Sequence, residues 1–195
     1  STGADTTDIH FASSSRFSEG DNAQFEERSA DTCRPNLRSH NKARTMATMT
    51  RRALFLKEMT AALKAKGLDL PHVEHLSAFD PAIHVAYLSR FPFKKITRHD
   101  NESFLLNGRR LHVSRGFAEV EIALGDYSFS LITAHLKSKR KVSVADEAEM
   151  RLQEALRLRR IIDARLKANP EINFAVLGDF NDYYNTKPLK ALVGR

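Results

Sequence analysis

The clearest structural signal in the sequence is Phe174-Ala175-Val176-Leu177-Gly178-Asp179-Phe180-Asn181-Asp182. Its first four residues are apolar and predict a short, fully buried strand that leads directly into a polar turn. Because positions i and i+2 of an extended chain point the same way, Asp179 and Asn181 are expected to project together from the carboxyl end of that strand. Folds of the α/β class place their sites at such strand ends.

The residue types in this turn suit phosphate chemistry. Asp179 can bind a hard cation or hold an attacking water, and Asn181 can donate to a phosphate oxygen or coordinate through its carbonyl. Gly178 is expected to leave room where a ligand comes close. Taken alone, the motif also fits an ordinary polar turn in which Asp and Asn are turn formers. Both interpretations stay open at this point.

Upstream of the strand, the apolar spacing changes to that of a long helix over residues 145–168, which Asn169-Pro170 ends. Five apolar residues form the expected buried stripe, namely Leu152, Ala155, Leu156, Ile162 and Leu166. Five arginines populate much of the remaining surface, namely Arg151, Arg157, Arg159, Arg160 and Arg165.

The middle of the chain has the alternation and the turns of β-structure. Residues 83–88 predict a strand that ends before Pro92, and Asn107-Gly108 predicts a hairpin turn between strands 104–106 and 111–113. Gly125-Asp126 predicts a second hairpin, whose second strand covers residues 127–135. Hairpins followed by a helical connection to a buried strand predict an α/β sandwich.

A histidine and a basic loop follow the end of this second hairpin, in Thr133-Ala134-His135-Leu136-Lys137-Ser138-Lys139-Arg140-Lys141. At the end of a strand, His135 could donate to a phosphate or act as a general acid. Lys137, Lys139 and Arg140 could bind phosphates. A capped strand with a solvated basic loop is the structural alternative.

The first 50 residues differ in character from the rest. Residues 1–50 are polar, with few aliphatic side chains, and predict an irregular segment. Residues 51–66 have helical spacing, and Gly67 is expected to end that helix. The sequence therefore divides into a polar segment, 1–50, and a folded domain, 51–195.

Composition favours a polyanionic partner. The net charge is +7 and the sequence pI is about 9.7, which suits nucleic acid or an anionic membrane surface, although excess charge can also serve solubility alone. The single cysteine, Cys33, excludes a disulfide framework and a multi-thiolate zinc site. No apolar run reaches the roughly 20 residues of a membrane span. No signal peptide is visible, and a secreted or a cytoplasmic location both stay open.

Four segments of the sequence stand out together, namely Val85-Ala86-Tyr87-Leu88-Ser89-Arg90-Phe91-Pro92, Arg115-Gly116-Phe117, Thr133-Ala134-His135-Leu136-Lys137-Ser138 and Leu177-Gly178-Asp179-Phe180-Asn181-Asp182. In this order they resemble motifs of the endonuclease/exonuclease/phosphatase family, the deoxyribonuclease I-like proteins, and the third has the form seen in bacterial extracellular-nuclease-like members.

This resemblance implies a four-layer α/β/β/α sandwich and hydrolysis of phosphodiesters with Mg²⁺ or Mn²⁺. It implies that His135 contacts the scissile phosphate as the catalytic histidine. It also implies that Asp179 orients or activates the attacking water, while Asn181 stabilises the phosphate or binds the metal. Arg90 and Arg115 carry over as substrate contacts, or as residues that hold loops through salt bridges.

The resemblance is incomplete at both ends. The family's opening strands carry an Asn and then a Gln-Glu pair, for which Asn36 and Glu58 are the only weak candidates, and its final Ser-Asp-His motif has no match. A truncated or minimal variant is expected, with open sheet edges that a second copy, in a homodimer, or residues 1–50 would cover. Other acids could replace the missing metal ligand, namely Glu26, Glu27, Glu119, Glu121 and Asp182.

Three functional hypotheses result. The first is a metal-dependent nuclease with weak sequence selectivity, with DNA favoured over RNA as the substrate. The others are a phosphodiesterase acting on a lipid or inositol phosphate, and a degenerate module that binds nucleic acid without turnover. With no Trp and four Tyr, stacking platforms for single strands look sparse. Tyr183 and Tyr184 are the exception, and they either line the cleft or pack the loop.

Overall fold

The computed structural model describes residues 53–194, which fall into two compact units, 53–70 and 71–194. The expected irregular segment of residues 1–50 lies outside the described residues, as do Glu26, Glu27 and Asn36. In the first unit, helix α1 covers residues 53–65 and carries Glu58. Gly67, with a φ of 88°, follows its end, so the predicted helix and its glycine stop are confirmed.

The second unit contains eight described strands and two described helices. The strands are β1 (His72–Leu76), β2 (Val85–Ser89), β3 (Phe93–His99), β4 (Ser103–Leu106), β5 (Arg109–His112), β6 (Phe117–Leu124), β7 (Tyr127–His135) and β8 (Phe174–Asp179). The helices are α2 (Glu147–Ala168) and α3 (Lys187–Val193). Both predicted hairpins form: Asn107 and Gly108 have φ values of 51° and 72°, which the tight β4–β5 turn requires, and Gly125 turns β6 into β7.

A central four-stranded sheet has the order β3-β6-β7-β8. Strands β3, β6 and β7 are antiparallel neighbours, whereas β7 and β8 are parallel and are connected through α2. Strands β1 and β2 form a separate antiparallel pair, as do β4 and β5.

Two apolar clusters bury opposite faces of the central sheet. On one face, Phe117 and Ile132 pack with α2 through Leu158 and with α3 through Leu192. On the other face, Val120 and the rest of the second cluster pack against β1 and β2. The result is a helix layer, a sheet and a second sheet, which confirms the predicted α/β class and accounts for three layers of the expected sandwich.

Tyr87 ties the two sheets together. Its hydroxyl, carried by β2, lies between the carbonyl oxygens of Ala118 (2.9 Å) and Leu131 (2.7 Å) on the central sheet and shares its single proton between them. Burial, the largest cause, raises the pKa of this phenol, so it stays a hydrogen-bond donor at any ordinary pH.

Two expectations about burial were wrong. Strand β8 was expected to be fully buried, but within residues 71–194 it pairs with β7 alone, and Ala175 is exposed. Arg151 was assigned to the solvent-facing side of α2, but only 4% of its surface is exposed. Three elements were not anticipated at all: β1, β3 and α3. None of the described helices has the length and apolar character needed to cross a membrane.

Candidate active site

Parallel pairing of β7 and β8 places His135 next to Asp179. The two residues are register partners at the carboxyl ends of their strands. The Nε2 atom of His135 lies 3.8 Å from Oδ2 of Asp179. The imidazole is largely buried, whereas 48% of the Asp179 side chain is exposed, so solvent and ligands reach the pair from the Asp179 side.

Asn181 joins this pair through a tight turn. The Asp179 Oδ1 atom accepts a hydrogen bond from the backbone N–H of Asn181 (2.9 Å), and Asn181 adopts a left-handed φ of 54°. Its Nδ2 then donates to the carbonyl oxygen of Leu136 (2.9 Å). Asp179 and Asn181 lie together as predicted, but the predicted reason was wrong. A tight turn aligns them, and not the alternation of side chains along an extended strand.

Gly178 is required by the neighbouring strand. Its φ is 137°, and a Cβ at this position would lie 1.9 Å from the carbonyl oxygen of Ala134. A side chain would therefore push β8 away from β7 beside the His135–Asp179 pair. We expected Gly178 to make room for a ligand. Instead, the missing side chain allows the backbones of β7 and β8 to lie in close contact.

The carbonyl oxygen of Leu136 links Asn181 to Arg115. Besides the Asn181 amide, it accepts from Nη1 of Arg115 (2.8 Å). Arg115 is 5% exposed, and its Nε lies 3.4 Å from Oδ2 of Asp80, within ion-pair distance but without hydrogen-bond geometry. The guanidinium thus holds the loops behind the site, the second of the two roles that the sequence left open.

The surroundings of His135 favour its neutral form. Burial, the largest cause, and the positive charge of Arg115 lower its pKa, and together they outweigh the opposing effects of Asp179 and Asp80. A neutral imidazole can donate from one ring nitrogen and accept at the other, so His135 is equipped both to hold a phosphate oxygen and to move a proton.

Glu154 is a buried carboxylate that the sequence did not single out. Its Oε1 accepts from the backbone N–H of Ser114 (3.1 Å) and its Oε2 from that of Lys137 (2.6 Å). Burial, the largest cause, raises its pKa despite these hydrogen bonds. From helix α2, this side chain therefore fixes the loop that carries Arg115 and the loop that follows His135.

Arg151 lies one turn earlier on the same helix and holds a third loop. Its Nε donates to Oδ2 of Asp182 (2.8 Å), and its Nη1 donates to the carbonyl oxygens of Lys137 (3.0 Å) and Glu147 (3.2 Å). A signal for both residues was present in the sequence. Positions 151, 154, 158 and 162 follow helical spacing, so two charged residues stand in register with the buried Leu158 and Ile162.

The predicted phosphate-binding residues fall into different environments. Lys137 is 7% exposed, and its ammonium donates to the carbonyl oxygens of Ser138 (3.3 Å) and Arg140 (3.0 Å). Burial, followed by the charge of Arg115, lowers its pKa. Lys139 and Arg140 are exposed beside the site, and Arg90 is exposed in the turn between β2 and β3.

The three acids proposed as replacement metal ligands that lie within the described residues are paired with cations. Glu119 pairs with Arg165, Glu121 with Lys94, and Asp182 with Arg151 and Lys139. Across residues 53–194, no group of three or more His, Cys, Asp or Glu side chains is arranged to hold a metal ion.

A magnesium or manganese ion nevertheless suits the donors that are present. The Asp179 carboxylate is open to solvent, and Asn181 keeps its amide oxygen available because its Nδ2 makes the bond to Leu136. Both are hard oxygen ligands. Mg²⁺ is commonly held by one or two carboxylates together with waters and substrate phosphates, so this donor set fits such an ion.

Comparison with known proteins gives similarity in structure alone. No family model matches the chain, and no curated protein matches it in sequence. Among solved structures, sphingomyelinase C from Streptomyces griseocarneus aligns with a TM-score of 0.45 and 17% identity over 60% of this chain and 40% of its own. A variant of beta toxin from Staphylococcus aureus with bound magnesium ions aligns with a TM-score of 0.43 and 18% identity, over 58% of this chain and 39% of its own.

The catalytic domain of human nocturnin, with a bound sulfate anion, aligns with a TM-score of 0.46 and 14% identity, over 61% of this chain and 46% of its own. The chain thus spans about two fifths to one half of the length of these three structures.

Proposed function

We propose that this chain hydrolyses phosphodiester bonds of nucleic acid with a divalent metal ion, with DNA favoured as the substrate. One observation carries the proposal: His135 Nε2 and Asp179 Oδ2 lie 3.8 Å apart at the carboxyl ends of two neighbouring strands, and about half of the Asp179 side chain is exposed. A histidine and a carboxylate that share an accessible strand end supply a proton-transfer group and a cation ligand at one place.

Asp179, Asn181 and His135 would have different roles in the reaction. Asp179 and the amide oxygen of Asn181 would hold Mg²⁺ or Mn²⁺, which when bound neutralises phosphate charge and lowers the pKa of a coordinated water. Neutral His135 contacts the scissile phosphate and can hold or move a proton at a ring nitrogen. Behind them, the buried Glu154 and Arg151 keep the loops around His135 and Asp182 in place.

The exposed cations favour a polyanionic substrate. Lys139 and Arg140 are exposed on the loop that follows His135, and the whole chain carries a net charge of +7. Contacts of this kind bind the backbone without reading bases, so weak sequence selectivity is expected. Lys137 is assigned instead to holding this loop, because its ammonium is buried against backbone carbonyls.

A second candidate is a module that binds nucleic acid without cleaving it. It is favoured by the absence, within residues 53–194, of any cluster of three acidic, His or Cys side chains suited to a metal. Such a protein would retain DNA at low salt and release it steeply as salt rises, with no metal-dependent nicking.

The test is conversion of supercoiled plasmid to nicked circles with Mg²⁺, with Mn²⁺ or with a chelator. Cleavage is expected with a metal and not with the chelator, and His135→Ala should lower the rate by about 100-fold or more. His72→Ala, on strand β1, is the matched control and should retain activity. Undiminished cleavage by His135→Ala would contradict the proposal, as would hydrolysis of inositol phosphates or phospholipids without any cleavage of nucleic acid.

A further inference from the structure

Two adjacent tyrosines are exposed beside the candidate site. Tyr183 is 69% exposed and Tyr184 is 88% exposed. They follow Asp182 directly in the turn that begins at Asp179. The sequence left open whether these rings pack the loop, and exposure of this size rules that role out. Large exposed aromatic side chains of this kind are typical of recognition surfaces.

The backbone that carries the rings is held in place. The Tyr183 N–H donates to Oδ1 of Asp182 (3.0 Å), and its carbonyl oxygen accepts from the Thr186 hydroxyl (2.7 Å) and N–H (3.1 Å). Asp182 is itself fixed by the buried Arg151. Because the turn is already ordered, stacking of a ligand on these rings would cost the protein little conformational entropy.

Positive charge lies next to the rings. The ammonium of Lys139 is 4.5 Å from the centre of the Tyr183 ring, a cation–π distance. Arg140 and Lys141 are exposed on the same loop. Aromatic faces combined with cations that can follow a phosphate backbone are the recurring elements of single-strand binding sites.

We propose that Tyr183 and Tyr184, with Lys139 and Arg140, form a platform on which unpaired nucleotides stack, so that single-stranded nucleic acid is the form preferred at this site. The inference rests on the proposed function and refines its substrate class. A duplex cannot use the rings in this way, because its bases already stack on one another. A lipid surface is the other partner for exposed tyrosines beside lysines, and it is disfavoured because the polar Asn185, also exposed, would have to leave water.

The experiment measures binding without turnover. Fluorescence anisotropy in chelator would compare a labelled oligothymidylate with a duplex of equal length. Replacing Tyr183 and Tyr184 together by alanine should weaken single-strand binding by roughly 10- to 100-fold and change duplex binding by less than about twofold. The double phenylalanine variant should bind like the wild type, because stacking needs the ring and not the hydroxyl. Tyr127→Ala, at the opposite end of β7 and 53% exposed, is the matched control.

Several outcomes would overturn the proposal: no binding of oligothymidylate by the wild type, unchanged binding by the double alanine variant, or equal losses on duplex and single strand. Loss of binding to phosphatidylglycerol vesicles, with oligothymidylate binding intact, would assign the tyrosines to a membrane surface instead.

The plasmid assay separates this proposal from the proposed function. Metal-dependent cleavage, together with unchanged binding when the tyrosines are replaced, would support the proposed function and contradict the platform. Tyrosine-dependent binding without metal-dependent cleavage of either the plasmid or the oligothymidylate would support the platform and contradict the proposed function.

Discussion

His135 and Asp179 are register partners on parallel strands β7 and β8, and their side chains approach to 3.8 Å between Nε2 and Oδ2. Helix α2 lies between the two strands in the sequence, so packing of this helix on the sheet brings the two residues together. The same helix supplies Glu154 and Arg151 to the loops behind them. Helix α2, the connection between β7 and β8, therefore positions both the strands of the sheet and the residues of the candidate site.

Glu154→Gln should damage both stability and the site. The amide keeps one acceptor but turns an N–H toward the backbone N–H of Ser114 or of Lys137, which leaves a buried donor without a partner. The free energy of unfolding should fall by about 1–3 kcal/mol, as measured by urea denaturation. Nicking at a temperature where the variant is still folded should also slow, because the loop after His135 is no longer fixed.

Glu171→Gln, an exposed position, is the control for Glu154→Gln and should change neither quantity. If Glu154→Gln were as stable and as active as the wild type, the role assigned to the buried carboxylate would be wrong.

The cations of the basic loop after His135 should have two different functions, phosphate binding by Lys139 and Arg140 and loop stabilisation by Lys137. Lys139→Ala combined with Arg140→Ala should weaken DNA binding and reduce the slope of log affinity against log salt by roughly 1–2, because exposed phosphate contacts are lost. Lys137→Met should leave that slope unchanged and lower stability by about 1 kcal/mol, because hydrogen bonds to two loop carbonyls are lost. A flatter salt dependence in Lys137→Met, measured by filter binding, would show that its ammonium contacts the nucleic acid after all.

Glu119 should make stability depend on acid pH. Burial would raise its pKa, but the His99 imidazole, whose Nε2 lies 3.7 Å from Oε2 of Glu119, and the hydrogen bonds and charge of Arg165 outweigh that effect, and the pKa lies below its ordinary value of 4.5. Lys95 and Glu121 border the same polar hollow. Because the unfolded chain binds the proton more readily, the contribution of Glu119 is present above about pH 4.5 and is lost as pH falls through the lowered pKa.

Urea denaturation at about pH 7 and about pH 3 checks this sign. Glu119→Gln should be less stable than the wild type at the higher pH, and the difference should shrink at the lower pH. A difference that grew on acidification would contradict the assignment.

The sequence predicted the elements whose signals are local. The Asn107-Gly108 turn, the β6–β7 hairpin and helix α2 all appear close to their expected bounds, because turn chemistry and helical spacing depend on neighbouring residues. Strand β3, Phe93–His99, was missed because its charged Lys94, Lys95 and Arg98 hide the alternation, and none of its seven residues is fully buried.

The candidate site was predictable in its residue types but not in its supports. His135, Asp179 and Asn181 were identified from strand-end motifs, and the structure brings them together. The inward orientation of Lys137 could not be read in the same way, and the helical spacing that indicates a buried position for Glu154 does not show which loops it contacts. A lysine and a glutamate are normally solvated. The burial of Lys137 depends on how its own loop turns the carbonyls of Ser138 and Arg140 toward the ammonium. The burial of Glu154 depends on backbone N–H groups that are distant in the sequence.

Nicking of supercoiled plasmid by the wild type and by Asp179→Asn shows whether this carboxylate supports metal-dependent hydrolysis. The substitution keeps the acceptor for the Asn181 N–H, so the free energy of unfolding should change by less than about 0.5 kcal/mol, while removal of the carboxylate charge should lower the nicking rate by about 100-fold or more. Wild-type cleavage that requires Mg²⁺ or Mn²⁺, lost in a folded Asp179→Asn variant, is the predicted result. Equal nicking by the two proteins, or nicking that persists in chelator, would contradict the account.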